Sequence, residues 1–217
     1  MANTNAPFGL RPSHTIDGKP WTGQTRRCYV PSTDAFAYYI GDIVKSAADG
    51  SLLNGAAAVT LATHSGARAA AITTGDGPIR GVVVGFGSAL TTGQGSQAID
   101  SDPRNLDIMY VPATKSYAYF LYIVEDPWMV YECQTDTIAN TAFNKNCDYY
   151  VAAAPTAPVN LSASYAQGST GTTGADYPIK IVGAPNLVGN SLADPGTYAR
   201  IYVMINDHEL KAGTVGI

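Results

Sequence analysis

The three histidines, His14, His64 and His208, are the first place to look for a metal or proton-transfer site. A zinc hydrolase needs two histidines one helical turn apart, so that both rings reach one metal. The run His208-Glu209-Leu210-Lys211-Ala212 supplies only the first of them. A turn or surface role is the better reading of all three. Among the 17 acidic residues the tight groups are Asp100/Asp102/Asp107, Glu125/Asp126 and Asp207/Glu209. Neighbouring strand positions point to opposite faces, so Glu125 and Asp126 do not make a local acid/base pair, and Asp126-Pro127 reads as a turn initiator. Asp100-Ser101-Asp102 is a loop that could take Ca²⁺, yet it lacks the bend glycine and closing glutamate of an EF-hand; a solvated turn is the default. The chain has no G-x-S-x-G elbow, and none of Cys28, Cys133 and Cys147 has a histidine nearby. The glycine-bounded run at 81–87 continues as Ser88-Ala89-Leu90, without the Gly-Lys-Ser/Thr of a phosphate loop. The residues therefore point to a protein that is not an enzyme and has no catalytic residue, metal site or cofactor.

Composition narrows the partners. Of 217 residues, 13 are Lys or Arg and 17 Asp or Glu, a formal net charge of -4, and only 14% are charged. Beyond Arg26-Arg27 there is no basic cluster, which argues against nucleic acid and anionic membrane surfaces as partners. The longest apolar stretch, residues 117–124, is strand-sized and far short of a membrane span, and the first residues lack a secretory signal. Three widely spaced cysteines without a C-x-x-C predict buried free thiols in a protein made in a reducing cytoplasm.

The elements that would position any site are short strands. Residues 1–24 carry Pro7, Pro12 and Pro20 with Gly9, Gly18 and Gly23, which reads as an extended arm lying on a surface, its own or a partner's, beside a single β domain over 25–217. The arm nonetheless holds Phe8, Leu10, Ile16 and Trp21, apolar side chains suited to a capsid or subunit interface. Strands are predicted over 25–31, 35–44, 57–63, 68–73, 81–87, 106–111, 117–125, 129–135, 147–153, 159–165, 179–182 and 199–205, with 206–210 turning back to close a pair. A helix is predicted over 137–146, and long surface loops over 88–107 and 166–178. The fold class is all-β: a β-barrel or jelly-roll-like sandwich of roughly ten short strands with one short helix. The 14 tyrosines fall mostly on those strands, where packing and subunit contact explain them better than sugar stacking does.

The opening Met1-Ala2-Asn3-Thr4-Asn5-Ala6-Pro7-Phe8-Gly9-Leu10-Arg11-Pro12 and the run Gly23-Gln24-Thr25-Arg26-Arg27-Cys28-Tyr29 resemble a family of tailed-bacteriophage structural proteins usually encoded beside the major capsid protein. Gly41-Asp42-Ile43-Val44, Gly81-Val82-Val83-Val84-Gly85-Phe86, Glu125-Asp126-Pro127 with Glu132-Cys133-Gln134, and Asn206-Asp207-His208-Glu209-Leu210 are similar to that family's later blocks. The resemblance implies a head decoration or cement protein with a β-barrel or jelly-roll-like fold. Such a protein would sit on the capsid surface of the virion and bind the major capsid protein and its own copies as a dimer or trimer. The alternatives are a glycan-binding adsorption module and a head-fibre or tail-associated structural protein.

Overall fold

The computed structural model describes residues 3–51, 55–92, 98–100, 108–155, 161–193 and 196–211. Fifteen strands occur among them: β1 (Arg11–Thr15), β2 (Arg26–Val30), β3 (Ile43–Ser51), β4 (Ala56–Leu61), β5 (Ala70–Ile72), β6 (Gly81–Thr92), β7 (Ala98–Asp100), β8 (Ala118–Val124), β9 (Met129–Gln134), β10 (Thr137–Ile138), β11 (Asn146–Val151), β12 (Tyr165–Thr172), β13 (Ile179–Gly183), β14 (Gly196–Thr197) and β15 (Arg200–Ile205). The chain is all-β, as its β-branched runs and turn residues require. In the first sheet, β3, β4, β2, β8, β6 and β7 follow in that order, and a further β3–β6 pairing brings the order back on itself through five strands. The second sheet runs β1-β9-β15-β13-β11-β12, with β5 lying along β11 beyond the point where β13 ends. Both sheets feed one core. Cys28, Val30, Val82, Leu121 and Ile123 come from the first, and Tyr131, Cys133, Ile179, Ile201 and Val203 from the second.

The glycine-bounded run at 81 is tight for the expected reason. A Cβ on Gly81 would lie 2.4 Å from the Val124 carbonyl oxygen, and one on Gly87 2.9 Å from the Phe120 Cβ, so the backbones of β6 and β8 approach more closely than side chains allow.

Residues 3–24 lie on the chain's own body, and three other expectations need correction. Residues 11–15 are an edge strand paired antiparallel to β9 (Arg11↔Glu132, Thr15↔Met129), because Pro12 can occupy an edge where its missing N–H costs no ladder bond. Residues 137–146 are not a helix. The Asp136 carboxylate accepts the Thr137 N–H (2.6 Å) and its carbonyl accepts the Tyr198 N–H (2.8 Å), holding the chain extended so that β10 pairs with β14. Only a 3-10 turn over Asn140–Ala142 follows, and Asn144 leaves it at positive φ. The polar stretch over 166–178 is largely β12, an edge strand whose small residues fit close contacts: a Cβ on Gly168 would meet Thr135 Oγ1 at 2.6 Å. The loop over 88–107 contains the end of β6 and all of β7, paired at Leu90↔Asp100, while residues 93–97 and 101–107 lie outside the described residues.

Smaller differences follow the same logic. Between residues 35 and 42 only isolated bridges form, at Tyr38↔Val111 and Ile40↔Leu161, and the strand starts at Ile43. Of the strands predicted over 106–111 and 159–165, residues 106–107 and 159–160 lie outside the described residues; Val111 and Leu161 make only those two bridges. The C-terminal turn closes as predicted, with His208 bridged to Ile79 and to Lys211.

Candidate functional site

Every residue of β9 is buried, where a strand open on one side would alternate. The amino-terminal segment supplies the missing cover. Gln134 donates to the Thr4 carbonyl (2.8 Å) and accepts the Ala6 N–H (2.9 Å), Asn3 bonds the backbone of Ser191 in both directions, and Gly9 N–H reaches the Ser164 carbonyl (3.0 Å). Arg11 and Arg200 both pair with Glu132, and the Phe8 ring packs against both guanidiniums, 5.1 and 5.7 Å from them. The segment is thus strapped to its own body.

That placement sorts the four predicted interface residues. Leu10 is 1% exposed, inside the chain's own core, so it is not free to fill a partner's pocket. Phe8 is committed to its two arginines. Trp21 is half-buried against the core, with its indole N–H on the Gln24 carbonyl (3.1 Å). Ile16 alone is broadly exposed, at 57%. The arm does not offer its backbone to a foreign sheet either: one edge of β1 pairs with β9, and the other is met by its own return, Trp21 N–H to the Ser13 carbonyl and Thr15 N–H to the Lys19 carbonyl.

The same return builds a groove. Pro20, Trp21, Pro127, Met129 and Leu210 line a cavity of about 580 Å³ between the β1 hairpin, the turn before β9 and the carboxy-terminal turn. Ile16 N–H bonds the Trp128 carbonyl (2.9 Å), so Ile16 and Trp128 stand together beside this groove, and Leu210 is 63% exposed at it. Its ion pairs are internal to the chain, while the Asp126 carboxylate in its lining takes the Trp128 N–H. Asp17 pairs with Lys19 at 2.6 Å, and Glu125 takes Arg26 at 2.7 Å and Arg80 at 3.3 Å. The Lys211 ammonium sits on the Pro127 carbonyl (2.9 Å) and 5.1 Å from the Trp128 ring. The Lys19 contact holds the Asp17 carboxyl down at about 2. What the groove offers a partner is therefore apolar wall with the Asp126 carboxylate in its lining.

A second apolar surface lies at the other end of the second sheet. In the turn over residues 185–190, Val188 is fully exposed and Leu187 about half exposed. The turn is held rigidly: Asn190 donates to the carbonyls of Pro185 (3.0 Å) and Arg200 (3.0 Å) and accepts the Arg200 N–H (2.8 Å), while Gly189 takes the positive φ that the turn needs. Tyr198 flanks it across a shallow cavity of about 210 Å³.

The groups that could do chemistry are dispersed. His14 packs edge-on against Tyr202, His64 is exposed and bonded to Asp76 (2.8 Å), and His208 is buried, its Nδ1 accepting the Leu210 N–H (3.0 Å). Burial also pushes the His208 pKa below its ordinary value. Asp126 acts as a turn residue, accepting the Trp128 N–H at 2.8 Å. All three cysteines are free and buried; burial pushes the Cys28 thiol up to about 11 and raises the other two as well. Among the described residues no three His, Cys, Asp or Glu side chains gather as they would around a metal ion. Among the described residues, too, no helix is long and apolar enough to cross a membrane. The loop around Asp102 and Asp107 lies outside the described residues.

Two buried polar nodes are structural. Asp42 pairs with Arg68, whose guanidinium also donates to the carbonyls of Ala37 (2.8 Å) and Ala152 (3.1 Å). The Lys115 ammonium is enclosed by the Asp34 and Phe36 carbonyls (2.6 and 2.7 Å).

No family model, curated protein or solved structure matches the chain. The residues that sequence reasoning missed are Trp128, Leu210, Leu187 and Val188. Trp128 had a signal, a large aromatic directly after the Asp126-Pro127 turn, where burial is uncommon. Val188 had one too, an apolar pair enclosed by Asn and Gly turn residues.

Proposed function

We propose that this chain is a non-enzymatic viral structural protein, a cement or decoration protein that binds the exterior of a phage head and bridges major capsid subunits. It would be made in the host cytoplasm and reside in the virion as a homo-oligomer. The observation that carries this reading is a rigid all-β body with two exposed apolar surfaces at opposite ends of one sheet, each preorganised by contacts within the chain. A bridging protein needs at least two such surfaces, and preorganisation lowers the entropy lost on docking. Contact surfaces of permanent assemblies are large and apolar, and a chain with 14% charged residues has few charges to desolvate. The amino-terminal resemblance supplies the kind of partner.

The test is co-sedimentation of the purified protein with undecorated heads. Wild-type protein should pellet with heads to saturation. The double variant Ile16→Asp/Trp128→Asp, which alters two exposed side chains, should keep its fold and lose affinity about tenfold or more. Failure of wild-type protein to bind heads sinks the proposal. One observation favours a second reading: Tyr110, half exposed, stacks on Tyr39 at 5.8 Å, an arrangement on which a sugar ring could also stack. A glycan array with no ligand at millimolar concentration removes it.

A further inference from the structure

We infer that Asp34 and Lys115 are the two ends of an intramolecular isopeptide bond, an amide formed between the Asp34 side-chain carboxyl and the Lys115 side-chain amine with loss of water. The inference goes beyond the capsid reading and does not depend on it.

The fold brings the two residues together. Asp34 follows the end of β2 and Lys115 precedes β8, and the pairing of these strands ends at Val30↔Tyr119. Beyond that pair, Tyr38 and Val111 exchange both backbone hydrogen bonds (2.9 and 3.0 Å), so the two connecting segments run side by side. Residues 81 apart in the chain thereby place the Lys115 Nζ 3.3 Å from the Asp34 Oδ1. Groups aligned at about 3–3.5 Å have already lost most of the freedom that a chance encounter would cost. The Lys115 and Asp34 side chains are 0% and 7% exposed, so little water competes for the carboxyl.

The surroundings fit amide formation atom by atom. The Lys115 ammonium donates to the Asp34 carbonyl (2.6 Å) and the Phe36 carbonyl (2.7 Å), with the Ala113 carbonyl at 3.4 Å. Burial lowers the Lys115 pKa, against the opposing pull of the Asp34 charge. Passing one proton from Nζ to Oδ1 turns the ion pair into a neutral amine and a neutral acid, with no outside acid or base. The two remaining N–H groups stay on the Asp34 and Phe36 carbonyls and leave the nitrogen lone pair on the side of the carboxyl. The Phe36 N–H holds Oδ1 at 2.8 Å.

Oδ2 accepts two hydroxyls, from Tyr38 (2.9 Å) and Thr60 (2.8 Å). The Tyr38 oxygen itself accepts the Leu61 N–H (3.1 Å), which commits its single proton to Asp34, and burial raises its pKa so that the proton stays. When Nζ adds to Cγ, negative charge develops on Oδ2 between these two donors, as in an oxyanion hole. Collapse re-forms the carbonyl at Oδ2 and breaks the Cγ–Oδ1 bond. Oδ1 leaves as water with the proton it received and a second one from the nitrogen, and the amide keeps one N–H. Nothing is oxidised or reduced. The bond fastens the open end of the β2–β8 pair.

The experiment measures the intact mass of the denatured full chain. Wild type should be lighter than its sequence by about 18 Da, one water. A tryptic digest should join the Asp34 and Lys115 peptides, with no cleavage after Lys115. Lys115→Arg, which replaces the amine with an unreactive guanidinium, should show its full mass. Tyr38→Phe should close at least about tenfold more slowly in a time course after synthesis. A wild-type chain of full sequence mass means an ion pair only and overturns the inference. So does a water loss mapped elsewhere, such as a succinimide at Asp76-Gly77, or a Lys115→Arg chain that is still light. A Tyr38→Phe chain that closes at the wild-type rate would overturn the part assigned to the Tyr38 hydroxyl.

Discussion

Replacing Arg68 with alanine would strand a carboxylate in the core. Asp42 is 1% exposed, and its charge is met by the Arg68 guanidinium and the Tyr39 N–H (3.0 Å). Removing one partner of a buried pair costs about 3–5 kcal/mol, because the other charge is left uncompensated. In a chain of this size that lowers the melting temperature by roughly 6–20 °C, at about 2–4 °C per kcal/mol. The loss has a pH signature. Burial pushes the Asp42 carboxyl up, with Arg68 opposing that shift. A carboxyl whose folded pKa lies above its unfolded value holds its proton more tightly in the native state. It therefore destabilises the fold above the folded pKa and stops doing so as the pH falls towards the unfolded value, about 3.9. Arg68→Ala removes the opposing charge and raises the folded pKa further, so the deficit against wild type should shrink on acidification, by at most about 1.4 kcal/mol per pH unit. The two lost bonds to the Ala37 and Ala152 carbonyls do not titrate, which separates the charge from the packing. Urea unfolding of both proteins from about pH 7 down to about pH 4, close to the unfolded carboxyl value, reads the difference. A deficit under about 1 kcal/mol, or one that is constant across that range, would refute the reasoning.

Two further perturbations follow from the same burial. Leu10→Ala should destabilise by about 2–5 kcal/mol in urea, because the residue is a core side chain; a loss below about 0.5 kcal/mol would contradict the packing of the amino-terminal segment onto its own body. Native protein at about pH 8 should resist thiol-specific alkylation while urea-unfolded protein yields three modified cysteines, since burial raises all three thiols and shields them; one thiol reacting at the unfolded rate would contradict this.

The strands legible in the sequence are those with β-branched or aromatic runs: β6 from Gly81, β8, β9 and β15 each carry enough apolar side chain to declare a buried element. β12 was illegible because an edge strand reading Tyr-Ala-Gln-Gly-Ser-Thr-Gly-Thr has the composition of a loop, and the contact that requires Gly168 comes from Thr135, far away in sequence. The extended path at 137–138 rests likewise on Asp136 meeting Tyr198 and Ser169, bonds that no local pattern encodes. At the candidate site, Ile16 and Trp21 could be singled out as apolar residues in a Pro/Gly-rich stretch. Leu10 looked the same in sequence, and only the strap over β9 sends it inward while leaving Ile16 outside. Leu210 and Val188 gain their meaning from the turns that expose them.

The claim that this is a shell protein is tested most directly by quantitative mass spectrometry of purified virions, measuring its copy number relative to the major capsid protein. The account predicts a stoichiometry of the same order as the major capsid protein, distributed over the head. Absence from the virion, or a dozen or fewer copies as for a portal or tail component, would contradict it.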